Sequence, residues 1–143
     1  MASIHRTAAA AWSGSGKEGK GSITTQSGRL KEAPYSVGTR FADGAGTNPE
    51  ELIAAAHAGC FTMALAFQLA GAGHTAESLA TEAKVTMEQE DGGWTIKAVH
   101  LKLHGKVPGL TAAAFAEIAA KAKAGCPVSR VLKAEITLDA TLD

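Results

Sequence analysis

Between Leu52 and Ala70 the only polar side chains are His57, Thr62 and Gln68, with the thiol Cys60 in the middle of an otherwise apolar run. A stretch this apolar on all sides predicts a helix over Thr47–Ala70 that other elements enclose. Its start is strongly marked. Asn48 can cap, Pro49 is pre-set for the first helical position, and Glu51 sits where a carboxylate reaches back in a capping box. The glycines at 71 and 73 are expected to release the backbone at the other end.

Elsewhere the pattern alternates. Ile4–Trp12 and the run around Ile23, Thr24 and Thr25 read as two strands of a hairpin. The segment 29–41 is broken by Pro34 and Gly38, so it reads as a loop or edge strand carrying Tyr35 and ending in a short extended piece at Arg40. Leu79, Ala83, Val85 and Met87 alternate toward a turn at Asp91, Gly92 and Gly93, and Trp94–Val107 returns as a long strand. Thr111 caps an alanine-rich helix, Ala112–Ala124, with Phe115, Ile118 and Ala119 on its apolar stripe. Gly125 stops that helix, Pro127 starts a short one, and Ile136, Leu138 and Ala140 mark a last strand. Six strands and two main helices without regular βαβ alternation predict an α+β fold, organised as a single domain over 1–143.

Composition narrows the functional classes. Lys+Arg and Asp+Glu both number 14, so the net charge is zero and no basic footprint favours nucleic acid or an anionic membrane. The alanine- and glycine-rich helix with His57 and Gln68 fits a core element better than a membrane span. The opening residues show no sustained apolar signal region, so a reducing cytoplasmic setting is expected, where two cysteines favour redox or metal chemistry over a structural disulfide. His100 and His104 would stand ~13 Å apart on a strand, too far to chelate one metal.

Cys60 and Cys126 are too distant in sequence for a CxxC site or a zinc ribbon, so any relation between them is made by the fold. Cys126 lies at a helix junction, where the first amides of the following helix can face its sulfur and favour a thiolate. A lone buried cysteine is most often a small hydrophobe. Two cysteines admit another scheme, in which one thiol is oxidised to a sulfenate and the other resolves it. His57, one turn from Cys60, is expected to pack or to make a local hydrogen bond rather than to catalyse.

The runs TNPEELIAAAHAGCF and AGCPVSRVLKAEITLD, with the pieces around Trp12 and PYSVGTRF, resemble the osmotically inducible protein C branch of the OsmC/Ohr family of thiol peroxidases over essentially the whole chain. The resemblance implies an OsmC-like, intertwined homodimer with antiparallel sheets wrapping long central helices and active sites at the subunit interface. It implies reduction of organic hydroperoxides without a cofactor, with Cys60 as the peroxidatic cysteine and Cys126 as the resolving one. Glu50 would set an arginine, Arg40 being the best match and Arg29 the second candidate, and a dithiol reductant of the lipoyl kind would complete the cycle.

The chemistry fits those roles, since an arginine beside Cys60 would favour the thiolate and donate to the peroxide oxygens. Glu50 and Cys60 are ten residues apart on one helix, roughly 15 Å by the helical rise. The expectation is therefore that central helices pack antiparallel, bringing Glu50 of one subunit to the Cys60 site of the other. Apolar neighbours Phe61, Met63 and Phe67 would favour alkyl hydroperoxides over hydrogen peroxide. Two alternatives stay open at this point: a metal site using His57, Cys60 and Cys126, and a carrier of small apolar ligands with inert thiols.

Overall fold

The computed structural model describes residues 2–143. It contains six strands and four helices among those residues, in two compact units, one up to Leu52 and one from Ile53 onward.

The first unit is built on a three-stranded antiparallel sheet, β1 (Ala8–Ser13), β2 (Lys20–Thr25) and β3 (Ala33–Tyr35), in the order β1-β2-β3. Gly21 is cross-strand partner of both Trp12 and Tyr35, whose rings meet edge to face with centroids 5.3 Å apart. Any Cβ at position 21 would run into both rings, so the aromatic pair closes over a residue that only glycine can be.

After β3 the chain departs from the expectation of an extended piece at Arg40. Val37–Phe41 forms a short helix, α1. The reason is a capping box: the Ser36 hydroxyl accepts from the Thr39 amide, and the Thr39 hydroxyl accepts from the Ser36 amide at 2.8 Å. Helix α2 follows over Pro49–Gly71, with the Glu51 amide donating to the Asn48 side chain at 2.7 Å and the Thr47 hydroxyl donating to the Glu51 carboxylate at 2.8 Å. The Asn48 amide group also donates to the Thr39 carbonyl, so the cap of α2 is tied to α1.

In the second unit β4 (Ser78–Glu90) and β5 (Gly93–Lys106) pair antiparallel, and β6 (Glu135–Leu142) joins the other side of β5 in parallel. The parallel strand corrects the expectation of antiparallel sheets throughout. Between β5 and β6 the chain inserts α3 (Ala112–Gly125) and α4 (Pro127–Val131), and a helical crossover of that length returns the chain in the direction it left. The β4–β5 register shifts between Thr86 and Met87, leaving Lys97 as the extra residue of a bulge, where it pairs with Glu90.

One face of β5 presents Val99, Leu101 and Leu103 to Phe61, Leu65 and Leu69 of α2 and to Phe115, Ala119 and Ala122 of α3. Gly105 continues that face beneath the Phe115 ring, which occupies the space a Cβ would need. Among the described residues α2 alone has the length and apolarity of a membrane span, yet its one buried stripe of His57, Phe61, Leu65 and Leu69 belongs to this core. Enclosure on all sides does not hold: Met63 is 65% exposed and Phe67 73%.

Candidate functional site

The predicted site residues form two pairs. In the first unit, α1 carries Arg40 and the first turn of α2 carries Glu50, and they meet in a two-pronged ion pair. Arg40 Nε donates to Glu50 Oε1 at 2.9 Å and Arg40 Nη2 to Oε2 at 3.0 Å. The hydrogen bonds it donates to Glu50 hold the guanidinium still more firmly in its charged form, against a smaller opposing effect of burial. The Arg40 guanidinium also lies 5.3 Å from the centre of the Phe41 ring. Arg29 is elsewhere, in the turn after β2, where its amide donates to the Ser27 hydroxyl.

The second pair is Cys60 and Cys126, both free thiols. Cys60 is half-buried on α2 and packs against the core, whereas Cys126 is wholly buried between α3 and α4. Their side chains act on each other, and the effects are of opposite sign. Burial pushes the Cys60 thiol up, its interaction with Cys126 adds to that, and the Val128 amide opposes both. Burial would also push Cys126 up, but Cys60 together with the amides of Ser129 and Val128 and the Ser129 hydroxyl overcomes it and holds Cys126 below the ordinary thiol value. These α4 amides act without a formal side-chain cap hydrogen bond at the helix start. Of the two thiols, Cys60 is pushed up and Cys126 is pushed down.

Ser129 is the residue that pattern reading overlooks. Its hydroxyl stands 2.7 Å from Nε2 of His57, which is fully buried on α2. No local pattern marks Ser129, because its partner lies 72 residues away on another element. His57 makes the local hydrogen bond expected of it, and burial holds its pKa below 6.5.

Phe61, expected among the apolar neighbours of the reacting thiol, is fully buried in the core, while Met63 and Phe67 face outward. An open groove of about 540 Å³ is lined by Ala58, Gly59, Thr62, Met63, Ala66, Leu79 and Thr81, and the Thr62 hydroxyl donates across it to that of Thr81 at 2.7 Å. His100 bonds Thr137 on β6, and His104 stands 3.9 Å from Asp143. Among the described residues no three His, Cys, Asp or Glu side chains converge as a metal would require.

Comparison with known proteins places this arrangement. The model of a family described as OsmC-like protein matches residues 42–141. The chain is 53% identical over 136 residues to peroxiredoxin OsmC of Escherichia coli (strain K12), with 95% of each sequence covered. Among solved structures, an organic hydroperoxide resistance protein from Elizabethkingia anophelis aligns with a TM-score of 0.69 at 29% identity, covering 100% of this chain and 99% of that one. The organic hydroperoxide resistance protein OhrB of Bacillus subtilis shares the fold, with a TM-score of 0.68 at 24% identity over 96% of this chain and 98% of its own. With two interacting free thiols on the elements that the family match spans, the chain belongs to the OsmC family of cysteine-based peroxidases.

Proposed function

We propose that this protein reduces organic hydroperoxides to alcohols through a Cys60 sulfenate and a Cys60–Cys126 disulfide. The observation that carries the reading is the direct interaction of two free thiols that differ in access, Cys60 being half-buried and Cys126 wholly buried. A peroxide can meet the first more readily than the second, which supports attack by Cys60 and resolution by Cys126. Cys60 as thiolate attacks the distal peroxide oxygen; the O–O bond breaks and the alkoxide leaves as alcohol after taking a proton. The sulfur keeps the oxygen as a sulfenate. Cys126 then attacks that sulfur, the S–O bond breaks and water leaves, and an external dithiol of the lipoyl kind reduces the disulfide.

Attack by Cys60 needs help, because burial raises its pKa and the groups acting on it are a thiol and an amide rather than a cation. The Arg40–Glu50 pair is chemically suited to supply that cation: the carboxylate fixes the guanidinium fork, leaving the remaining N–H groups to donate to a thiolate or a peroxide oxygen. We place that pair from one protomer at the Cys60 site of its partner in a homodimer, each chain contributing a single OsmC-like domain and working in the cytoplasm. The outward Met63 and Phe67 support such an interface, and an apolar surface there favours alkyl hydroperoxides over hydrogen peroxide.

Treating the reduced protein with an alkyl hydroperoxide and counting free thiols tests the chemistry. Both thiols are expected to disappear into an intramolecular disulfide, and Cys60→Ser is expected to abolish the loss. Retention of both thiols alongside stoichiometric zinc would favour a metal site instead. Equal turnover of alkyl hydroperoxide and hydrogen peroxide would remove the apolar-substrate assignment.

A further inference from the structure

We propose that His57 and Ser129 are positioning residues for Cys126, the buried imidazole orienting the Ser129 hydroxyl so that its proton points at the Cys126 sulfur. The inference rests on Cys126 being the resolving nucleophile.

The geometry is specific. His57 and Ser129 come from α2 and α4, and their polar atoms stand 2.7 Å apart across 72 residues of sequence. His57 is fully buried, and its other ring nitrogen, Nδ1, is buried with no partner. An imidazole enclosed this way, with a single hydrogen bond, costs stability relative to an apolar side chain of similar size, so its one contact is the place to look for a use. Ser129 occupies the third position after Cys126, the N-cap of α4, one turn along the same short helix. The Ser129 hydroxyl bonds the imidazole on one side and acts on the Cys126 thiol on the other.

A serine hydroxyl has one proton to give. Were Nε2 unprotonated it would take that proton, and the hydroxyl oxygen could only accept from the thiol, which holds Cys126 in its unreactive form. With the proton on Nε2, the imidazole donates to the hydroxyl oxygen and the hydroxyl donates to sulfur, which stabilises the thiolate. The second arrangement leaves Nδ1 as the unprotonated nitrogen, the one ring atom with no partner to donate to. A neutral imidazole also suits this depth, since burial keeps His57 from taking a second proton. The arrangement supplies a buried sulfur with a donor where a cation would be expensive to enclose. When the thiolate attacks the sulfur of Cys60 as its sulfenic acid, the S–S bond forms, the S–O bond breaks, and hydroxide leaves as water with a proton from solvent.

The test has two arms. In a Cys60→Ala background the thiolate absorbance of the single remaining cysteine is titrated against pH. Ser129→Ala is expected to move the midpoint up by about one pH unit, the effect of losing roughly one hydrogen bond to a charged sulfur. Ser129→Thr, which keeps the hydroxyl, is expected to restore it, and His57→Leu to shift it in the same direction as Ser129→Ala. In the two-cysteine protein, rapid mixing with an alkyl hydroperoxide below the thiol midpoint should show sulfenate forming at the parent rate in Ser129→Ala and disulfide forming about threefold more slowly, the smaller thiolate fraction being partly offset by its greater nucleophilicity. An unchanged titration midpoint in Ser129→Ala overturns the proposal even if His57→Leu fails to fold. If the parent makes sulfenate but no disulfide, the role of Cys126 falls, and the titration still decides whether Ser129 and His57 act on its sulfur.

Discussion

At the scale of single residues, the proposed mechanism divides the work of a peroxidase between the two pairs, one orienting and one reacting. Arg40 gains a fixed fork from Glu50 that a single-point contact would not provide. Glu50→Gln keeps the size of the side chain but loses the charge. It is expected to lower the second-order rate of Cys60 oxidation by about 10²-fold, the scale of misplacing a reacting group by an ångström, with little change in circular dichroism. His57 carries a pH dependence whose sign follows from its burial. Its folded pKa lies below the unfolded value of 6.5, so the stability it contributes is fully present above that value. As pH falls below it, the unfolded chain binds a proton that the folded chain refuses, and stability drops by up to about 1.4 kcal/mol per pH unit. Denaturant titrations between neutral and acidic pH should show this slope, and His57→Gln should flatten it. That Arg40 would meet Glu50 and Cys60 would meet Cys126 was legible through the motifs that carry the family resemblance. Ser129 was not, because its importance comes from His57 on another element and no local pattern records that contact.

At the scale of elements, the strongest local signals gave correct helices, and the errors arose where tertiary context decides. The Asn48 cap, the Thr111 cap and the break at Gly125 are local chemistry, and the helices begin and end accordingly. Arg40 was expected on extended chain because Pro34 and Gly38 interrupt the segment, whereas the Ser36–Thr39 capping box outweighs those breaks and winds the chain into α1. The direction of β6 was hidden for a different reason: alternation shows which face of a strand is buried but not which way it runs. What identifies it is the helical crossover through α3 and α4. The packing of α3 on β5 depends on Gly105, since a methyl group there would occupy the space of the Phe115 ring. Gly105→Ala is expected to destabilise the protein by about 1–3 kcal/mol through overpacking, read as a lower denaturation midpoint. Gly105→Ala combined with Phe115→Leu should lose less than the two single changes added together, because the smaller side chain relieves the clash.

At the scale of the whole molecule, α2 presents a contradiction that a second copy would resolve. The helix is apolar nearly all round, yet it buries one stripe, His57, Phe61, Leu65 and Leu69, while Met63 and Phe67 point outward at 65% and 73% exposure. Positions two apart on a helix lie on nearly opposite faces, so Met63 and Phe67 form their own apolar side, flanked by an open groove. Covering two such side chains is worth about 1.5–3 kcal/mol each, and a two-fold axis would cover them twice. The proposed dimer therefore makes a joint prediction about assembly and chemistry. Sedimentation should give the parent protein twice the mass of one chain, and Phe67→Lys should give a single chain with unchanged helix content. If the arginine comes from the partner, that monomer should keep two titratable thiols but react with alkyl hydroperoxide far more slowly, and its rate should recover at concentrations that drive reassociation. A Phe67→Lys monomer that turns over at the parent rate would show that one chain completes its own site, and the shared arginine would have to be abandoned.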